Sequence, residues 1–165
     1  MSTLPSLDQV AELPLELHLV APAEFEDFNG HVNVSHHYAL HMQACEQALT
    51  DVGLTAEVIA AGFSVFSAEH HLRYLHEIHV GDTIEGRVRL LGRSARTLHG
   101  ASVLVDTTSG KLASLCEWVE IAIDLSQRRS APFPDDIAAA IDERIARDAT
   151  LDWSLPAAGA MGVNR

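Results

Sequence analysis

The chain has 165 residues, of which 47% are hydrophobic and 21% are charged, and its formal net charge is −12. This length and balance are typical of one folded domain and exclude a chain that is disordered throughout. An acidic surface repels phosphates and anionic lipid headgroups, so we expect neither a nucleic-acid partner nor a membrane partner. An anionic small ligand remains compatible, because a few clustered arginines can hold phosphate.

The sequence also predicts a cellular location. The N-terminal stretch has no basic region followed by a long apolar run, so we expect no signal peptide. No segment approaches the roughly 20 apolar residues that a membrane-spanning helix needs. Cys45 and Cys116 lie outside any CxxC motif, which favours reduced and buried structural thiols. We therefore expect a cytoplasmic protein.

Two elements are predicted in the first third of the chain. Alternating apolar and polar residues predict a strand over 13–20, followed by a loop over 21–33 that contains Pro, Gly and Asn. A long amphipathic helix comes next, with Ser35 as its N-cap and Gly53 as the residue that ends it. The apolar stripe of this helix recurs in steps of three and four residues: Tyr38, Met42, Cys45, Leu49 and Val52.

The rest of the pattern predicts a sheet and a second helix. Four more strands are predicted, over 63–76, 83–91, 98–105 and 112–123, and a short helix follows from Asp135. Short turns between consecutive strands favour antiparallel pairing, and one face of the sheet needs a cover. The expected class is α+β, with an antiparallel sheet of about five strands wrapped around one long helix, plus a short C-terminal helix.

One loop carries a family resemblance. The segment Asp27-Phe28-Asn29-Gly30-His31-Val32-Asn33 joins the first strand to the long helix. Together with Val80-Gly81-Asp82 and the strand end at Asp124, it resembles the hotdog-fold acyl-CoA thioesterases of the 4-hydroxybenzoyl-CoA type. The resemblance covers about residues 13–135. We expect a single hotdog thioesterase domain over 1–149 and a flexible C-terminal tail over 150–165, in which Trp153 is a candidate anchor.

The chain departs from the common pattern of that family at one position. Many members have a catalytic aspartate five residues before the glycine, where this chain has Phe25. Asp27, three residues before Gly30, is similar instead to a branch with the pattern aspartate-aromatic-Asn-Gly-His. That branch includes betainyl-CoA thioesterases of carnitine breakdown. Asp27 is therefore the candidate catalytic group, and the alternative is a turn-forming aspartate that bonds its own loop.

The chemistry of thioester hydrolysis gives the loop residues candidate roles. A carboxylate must attack the carbonyl or activate a water, and fixed donors must stabilise the oxyanion. A helix N-terminus supplies such donors, so the order loop, glycine, helix places both groups together. His31 and Asn33 are further catalytic candidates, although they can equally satisfy loop backbone groups. Asn29 and Gly30 are candidate substrate contacts, with Gly30 permitting an unusual backbone conformation or a close approach of the thioester.

The resemblance implies a CoA ester, whose phosphates need a basic patch. Arg93, Arg96 and Thr97 belong to a predicted turn between two strands, and Arg73 lies on a neighbouring strand. We expect these four residues to bind substrate, and the alternative for the turn is an ordinary charged hairpin rim. Tyr38 is a candidate for the acyl pocket, although an aromatic residue is more often part of a core.

Other polar residues are given less weight. Glu46 on the long helix is more simply a solvated glutamate than a catalytic one. His37 and His41 have a spacing that can share a metal, but no third ligand stands at a convincing spacing. We therefore expect no metal and no cofactor, since CoA is part of the substrate.

The resemblance also implies an assembly. Family members pair their sheets across a dimer and build each active site from two chains, so we expect a homodimer or a dimer of dimers that binds acyl-CoA. Two competing functions stay open: a hotdog hydratase or dehydratase that uses Asp27 and His31, and a non-catalytic acyl-CoA-binding module. The sequence also leaves open the acyl group and whether Asp27 attacks directly or through water.

Overall fold

The computed structural model describes residues 4–163. Its helices are α1 (Leu7–Ala11), α2 (Val34–Asp51), α3 (Ala56–Ala60) and α4 (Asp135–Asp148), with a 3₁₀ turn at Ala23–Phe25. Its strands are β1 (Leu15–Val20), β2 (Phe63–Tyr74), β3 (Thr83–Arg93), β4 (Thr97–Asp106), β5 (Lys111–Asp124) and β6 (Arg129–Ser130). No helix within these residues is both long enough and apolar enough to cross a membrane.

The strands form one antiparallel sheet in the order β1-β3-β4-β5-β2, and β6 pairs with the end of β5. The long helix α2 contacts β1, β3, β4 and β5, so the sheet curls around it. The predicted α+β class, the wrapped antiparallel sheet and the C-terminal helix are confirmed. The sequence did not predict the two-residue strand β6 or the short helices α1 and α3.

A glycine in β3 lets the helix approach the sheet. A Cβ placed on Gly86 would lie 2.9 Å from the Cβ of Leu17 and 3.0 Å from the Cβ of Ala44. The backbone of β3 and the helix α2 are therefore so close at Gly86 that a residue with a side chain would clash there. Around this contact, Ala48 of α2 and Trp118 of β5 belong to one buried cluster, in which Trp118 is completely buried.

The predicted N-cap of the long helix is wrong by two residues. Asn33, not Ser35, is the N-cap: its Oδ1 accepts the Ser35 backbone N–H at 2.9 Å and the Ser35 hydroxyl at 2.7 Å. Both residue types cap helices well, and the earlier one takes the position here. The helix thus begins at Val34, directly after the loop. Its end follows the prediction, because Gly53 has a φ of +100° just beyond the C-cap Val52.

The buried face of α2 also differs from the predicted stripe. Cys45, Leu49 and Val52 are buried as expected, but Tyr38 is 41% exposed. His37 and His41 are buried instead, at 3% and 0% exposure. The sequence pattern counted histidine as polar. It therefore predicted Tyr38, and not His37 and His41, on the buried face at the start of the helix.

The far side of the sheet is covered by the two ends of the chain. Trp153 and Leu155 are buried there with Val10, against sheet residues that include Val103 and Leu115. The indole N–H of Trp153 donates to a Glu12 carboxylate oxygen at 2.7 Å. Residues 150–163 contain no helix or strand, yet these side chains attach part of the segment to the sheet.

Candidate active site

The loop before α2 is closed by its own backbone. Glu26 and Val32 form an isolated antiparallel bridge, the Asp27 N–H donates to the His31 carbonyl at 3.0 Å, and the Gly30 N–H donates to the Asp27 carbonyl at 3.0 Å. Gly30 has a φ of +81°, while a Cβ added there would meet no atom within 4 Å. Glycine is therefore required for its conformation rather than for space.

The carboxylate of Asp27 is held in a fixed position within this loop. Its Oδ1 accepts the Asn29 backbone N–H at 2.8 Å, and its Oδ2 accepts the side-chain amide groups of Asn29 at 3.4 Å and Asn33 at 3.3 Å. The backbone bond from Asn29 is the main reason that the pKa of Asp27 lies below its usual value, and nearby His31 lowers it further. Asp27 is therefore an anion at neutral pH.

Asn33 joins the carboxylate to the helix. Its side-chain N–H bonds Asp27 while its side-chain oxygen caps α2, so one residue fixes the anion relative to the helix N-terminus. The ring Nδ1 of His31 lies 3.9 Å from Asp27 Oδ1 and 3.3 Å from the Val32 carbonyl oxygen. The structure thus brings together five of the predicted site residues: Asp27, Asn29, Gly30, His31 and Asn33.

The position that is usually catalytic in the family has a packing role here. The ring of Phe25 stacks on His36 with centroids 4.0 Å apart and an interplanar angle of 11°. Its carbonyl accepts the Asn33 N–H at 2.8 Å. Phe25 therefore supports the start of α2, and Asp27 is the carboxylate nearest to the helix N-cap in this loop.

A cavity of about 240 Å³ opens beside the loop. Its lining includes His31, Val34 and His37 from the loop and helix, and Tyr74, His76 and Glu77 from the end of β2 and beyond. His37 meets the Tyr74 ring edge-on at 5.5 Å between centroids. This cavity borders the N-terminus of α2, because Val34 belongs to its lining.

Two buried histidines that the sequence did not assign to the site lie on α2: His37, which lines this cavity, and His41, one turn further along the helix. His37 Nδ1 is 3.0 Å from Ser114 Oγ, His41 Nε2 is 2.9 Å from the same oxygen, and His41 Nδ1 is 2.7 Å from Ser102 Oγ. Burial lowers the pKa of His37 to about 4 and that of His41 to about 3. Both rings are neutral at neutral pH. Within residues 4–163, no cluster of three or more His, Cys, Asp or Glu is placed to hold a metal ion.

Tyr38 does not line the cavity. Its hydroxyl lies 2.9 Å from His70 Nδ1 on β2, and His70 Nε2 lies 3.5 Å from Glu120 Oε1. Glu46 lines a separate cavity of about 420 Å³, between α2, α3 and β2, which Glu120 also lines.

The structure does not bring the predicted arginines to Asp27 within one chain. Arg93 pairs with Leu98 at the β3–β4 turn, whereas the loop bonds the chain just before β3, through the Val32 N–H and the Ile78 carbonyl at 2.7 Å. The length of β3 separates these two ends by roughly 30 Å. Arg93 also forms an ion pair with Asp142 at 2.5 Å.

The other members of the predicted CoA patch have different surroundings. The Arg96 guanidinium approaches Ser130 Oγ at 3.4 Å, and Thr97 Oγ1 is 2.6 Å from Ser94 Oγ. Arg73 is exposed on β2 and lines a small pocket beside Leu155, on the sheet face opposite α2. Arg73 is therefore directed away from the Asp27 loop of its own chain.

An antiparallel sheet wrapped around one long helix is the hotdog fold, the fold of a large class of thioester hydrolases. Residues 20–141 match the family model of the Thioesterase-like superfamily. The chain belongs to this superfamily, and the hotdog resemblance predicted from the loop is confirmed.

Individual relatives agree with this assignment. A betainyl-CoA thioesterase of Pseudomonas aeruginosa is 32% identical over 120 residues, which cover 72% of this chain and 76% of that protein. An L-carnitine dehydrogenase/betainyl-CoA thioesterase of Ruegeria pomeroyi is 30% identical over 139 residues, 82% of this chain but 28% of that longer protein. A Staphylococcus aureus protein solved in complex with CoA has the same fold, with a TM-score of 0.81, 22% identity, and coverage of 93% of this chain and 96% of that one.

Proposed function

We propose that this protein hydrolyses a small acyl-CoA to the free acid and CoA, with Asp27 as nucleophile or general base and the N-terminus of α2 as the oxyanion site. The observation that supports this most is the double role of Asn33, which holds the Asp27 carboxylate and caps the helix at once. A negative nucleophile and a positive helix end then face the same carbonyl.

One backbone group is a specific oxyanion donor. Val34 is the first residue of α2, and its N–H has no acceptor among residues 4–163. Its neighbour Ser35 donates to the cap residue instead. Val34 also lines the 240 Å³ cavity, so its N–H is the donor that a thioester oxygen would meet.

Two chemical routes are compatible with this arrangement. In the first, an Asp27 oxygen bonds to the acyl carbon, the C–S electron pair leaves on CoA, and water then hydrolyses the mixed anhydride. In the second, Asp27 takes a proton from a water that attacks the same carbon. Both routes need an ionised Asp27, which the lowered pKa ensures.

For the acyl group we propose a betainyl unit, in line with the named activity of the Pseudomonas and Ruegeria relatives. A trimethylammonium group is attracted to aromatic faces and to carboxylates. Tyr74 and Glu77 supply one of each in the cavity lining. The net charge of −12 favours a cationic acyl group as well.

A thiol-release screen tests the reaction and the acyl group together. We expect free CoA thiol from betainyl-CoA, with a kcat/KM at least roughly 10-fold above that of tert-butylacetyl-CoA, its uncharged isostere, because only the cation gains from Tyr74 and Glu77. Aromatic and short aliphatic CoA esters complete the panel. A hydratase would release no thiol from any of them, and binding without turnover would favour an acyl-CoA-binding module.

We propose a homodimer or a dimer of dimers in which two β2 strands pair. The strand is 12 residues long, lies at the edge of the sheet, and leaves Phe66 41% exposed and Tyr74 49% exposed. Unpaired edges of this length are normally covered. Phe28 at the loop tip, 97% exposed, is a further contact candidate.

Antiparallel pairing of two β2 strands would complete the site. The Tyr74 end of one strand would then face the Phe63 end of its partner. The β3–β4 turn lies at this Phe63 end, because Phe63 pairs with Asp124 and the Ala122 N–H donates to the Arg96 carbonyl at 2.8 Å. The partner's turn would therefore approach the Asp27 loop, which accounts for the distance between arginines and loop within one chain.

Charge reversal tests the phosphate role of this turn. Arg93→Glu combined with Arg96→Glu should raise KM for CoA esters by roughly 10-fold or more, because charge-assisted bonds to phosphate are lost. Short thioesters without CoA should be unaffected. Asp142→Asn is the matched control, since it breaks the Arg93 ion pair and keeps both arginines. Equal effects on both substrate types would refute a phosphate role.

A further inference from the structure

We propose that His37 presents an unprotonated Nε2 to the cavity beside the Asp27 loop, and that this nitrogen accepts the proton of the water that completes hydrolysis. The catalytic part rests on the proposed thioesterase function, whereas the state of the ring does not. The residue lies one turn into α2, below the loop motif that carries the family resemblance.

A buried chain of hydrogen bonds fixes the ring. It runs from His37 Nδ1 to Ser114 Oγ at 3.0 Å, on to His41 Nε2 at 2.9 Å, and from His41 Nδ1 to Ser102 Oγ at 2.7 Å. All four residues are at most 3% exposed. Water therefore has no easy access to the chain, and its members must satisfy one another.

The number of available protons allows only two directions of donation along this chain of hydrogen bonds. A neutral imidazole has one N–H, and a serine hydroxyl donates once. If Ser114 accepted from both histidines, its own hydroxyl proton would have no acceptor among residues 4–163, so it donates to one histidine and accepts from the other. If the chain runs from His37 toward Ser102, His37 carries its proton on Nδ1 and its Nε2 is bare. If the chain runs the other way, Nε2 carries the proton.

The far end of the chain favours the first direction. Ser102 Oγ lies 3.5 Å from the carbonyl oxygen of Cys116, to which it can only donate. A Ser102 that donates there accepts from His41 Nδ1, so His41 Nε2 accepts from Ser114, and Ser114 accepts from His37 Nδ1. This direction gives every proton of the chain an acceptor, whereas the reverse one leaves the His37 Nε2–H without an acceptor within residues 4–163 and the Cys116 contact without a donor.

The free nitrogen of His37 faces the site. No group within residues 4–163 forms a hydrogen bond with Nε2, and the ring lines the 240 Å³ cavity with His31 and Tyr74. The low pKa of His37, about 4, keeps Nε2 unprotonated at neutral pH. The nitrogen is thus a permanent acceptor on a ring that shares its cavity with His31 of the loop.

The proposed step is a balanced hydrolysis. The water oxygen bonds to the acyl carbon while one water proton passes to His37 Nε2. The bond between the acyl carbon and the Asp27 oxygen of the mixed anhydride breaks with its electron pair, which frees the acid and restores the Asp27 carboxylate. The proton then passes from His37 to solvent, which regenerates the bare nitrogen.

Nitrogen-15 NMR of the imidazole rings tests the first half of the proposal without any substrate. We expect His37 to show a protonated Nδ1 and an unprotonated Nε2 from pH 5.5 to 8. A protonated Nε2 would overturn the proposal even if the protein is a thioesterase. If His37 has the expected protonation state but the protein cleaves no acyl-CoA, the thioesterase function is overturned. The role of His37 as acceptor of the water proton is overturned with it, whereas the proposed direction of the hydrogen bonds from His37 to Ser102 stands.

A pair of substitutions tests the second half. His37→Asn places an amide where Nδ1 stands, so it keeps the bond to Ser114 and loses Nε2; kcat should fall at least ~10-fold with KM unchanged. His37→Gln places its amide near the Nε2 position and should keep more of kcat than His37→Asn, although the Ser114 bond is lost. His18→Asn, at an exposed histidine of β1, is the matched control. An unchanged kcat in His37→Asn, with its melting temperature preserved, would overturn the role.

Discussion

Asp27→Asn is expected to keep the fold and to lower kcat for acyl-CoA hydrolysis at least ~100-fold. The substitution removes the negative charge and the nucleophilic oxygen but preserves the shape of the side chain. An asparagine oxygen can still accept the Asn29 backbone N–H, which is the shortest of the three bonds to the carboxylate. The loop, its Gly30 tip and the Asn33 cap should therefore survive. Steady-state kinetics and a thermal melt, measured together, check both parts.

Asp124 offers a matched control for this experiment. It ends β5 directly before a turn and accepts several bonds from that turn, including the Ser126 backbone N–H at 2.8 Å and the Gln127 side-chain amide at 3.1 Å. Bonds from Ser126 and Gln127 lower its pKa, as loop bonds do for Asp27. Asp124→Asn should leave kcat within about 2-fold of the wild type. If Asp27→Asn also hydrolyses every acyl-CoA as well as the wild type does, Asp27 is a turn residue only.

The fold could be predicted because its signals are local. Alternating side chains and glycine-containing turns mark strands within windows of about ten residues, and β1 to β5 each begin and end within about two residues of the predicted bounds. The loop motif was equally accessible, since Asp27, Gly30 and Asn33 interact over at most six positions of sequence. Short-range patterns therefore gave the sheet, the long helix and the centre of the candidate site.

The rest of the site depends on contacts that no local pattern contains. The partners of His37 and His41 are serines 61 to 77 positions away, so the sequence alone could not show why two histidines lie in the core. The four-residue spacing of the two histidines can fit a metal pair, but no third ligand stood at a convincing spacing, and in the structure both rings bond to serine hydroxyls. A search for small hydroxyl residues at inward positions of β4 and β5 could have found Ser102 and Ser114.

Acidification should destabilise this protein well above the pH at which carboxylates with lowered pKa values, such as Asp27 and Asp142, titrate. An unfolded histidine has a pKa of about 6.5, while His37 and His41 in the folded state have values of about 4 and about 3. Between these pKa values the two histidines are protonated in the unfolded protein and neutral in the folded protein. The free energy of unfolding therefore decreases as pH falls from 6.5 toward 4. Each histidine should lower the free energy of unfolding by about 2 kcal/mol at pH 5 relative to pH 7.5, and the two together should lower it by about 4 kcal/mol.

Urea unfolding at half-unit steps between pH 7.5 and 5 measures this loss directly. Carboxylates with lowered pKa values, such as Asp27 and Asp142, contribute mainly below pH 4.5. Burial raises the pKa of Glu16, whose contribution has the opposite sign and is common to the wild type and the variants compared. His37→Asn keeps a donor for Ser114 and cannot titrate, so it should halve the slope of stability against pH. His18→Asn, at an exposed position, should leave the slope unchanged. If the free energy of unfolding of the wild type hardly changes with pH over this range, the two buried histidines can be protonated in the folded protein at little cost in stability. That result would contradict the conclusion that both rings are buried and neutral.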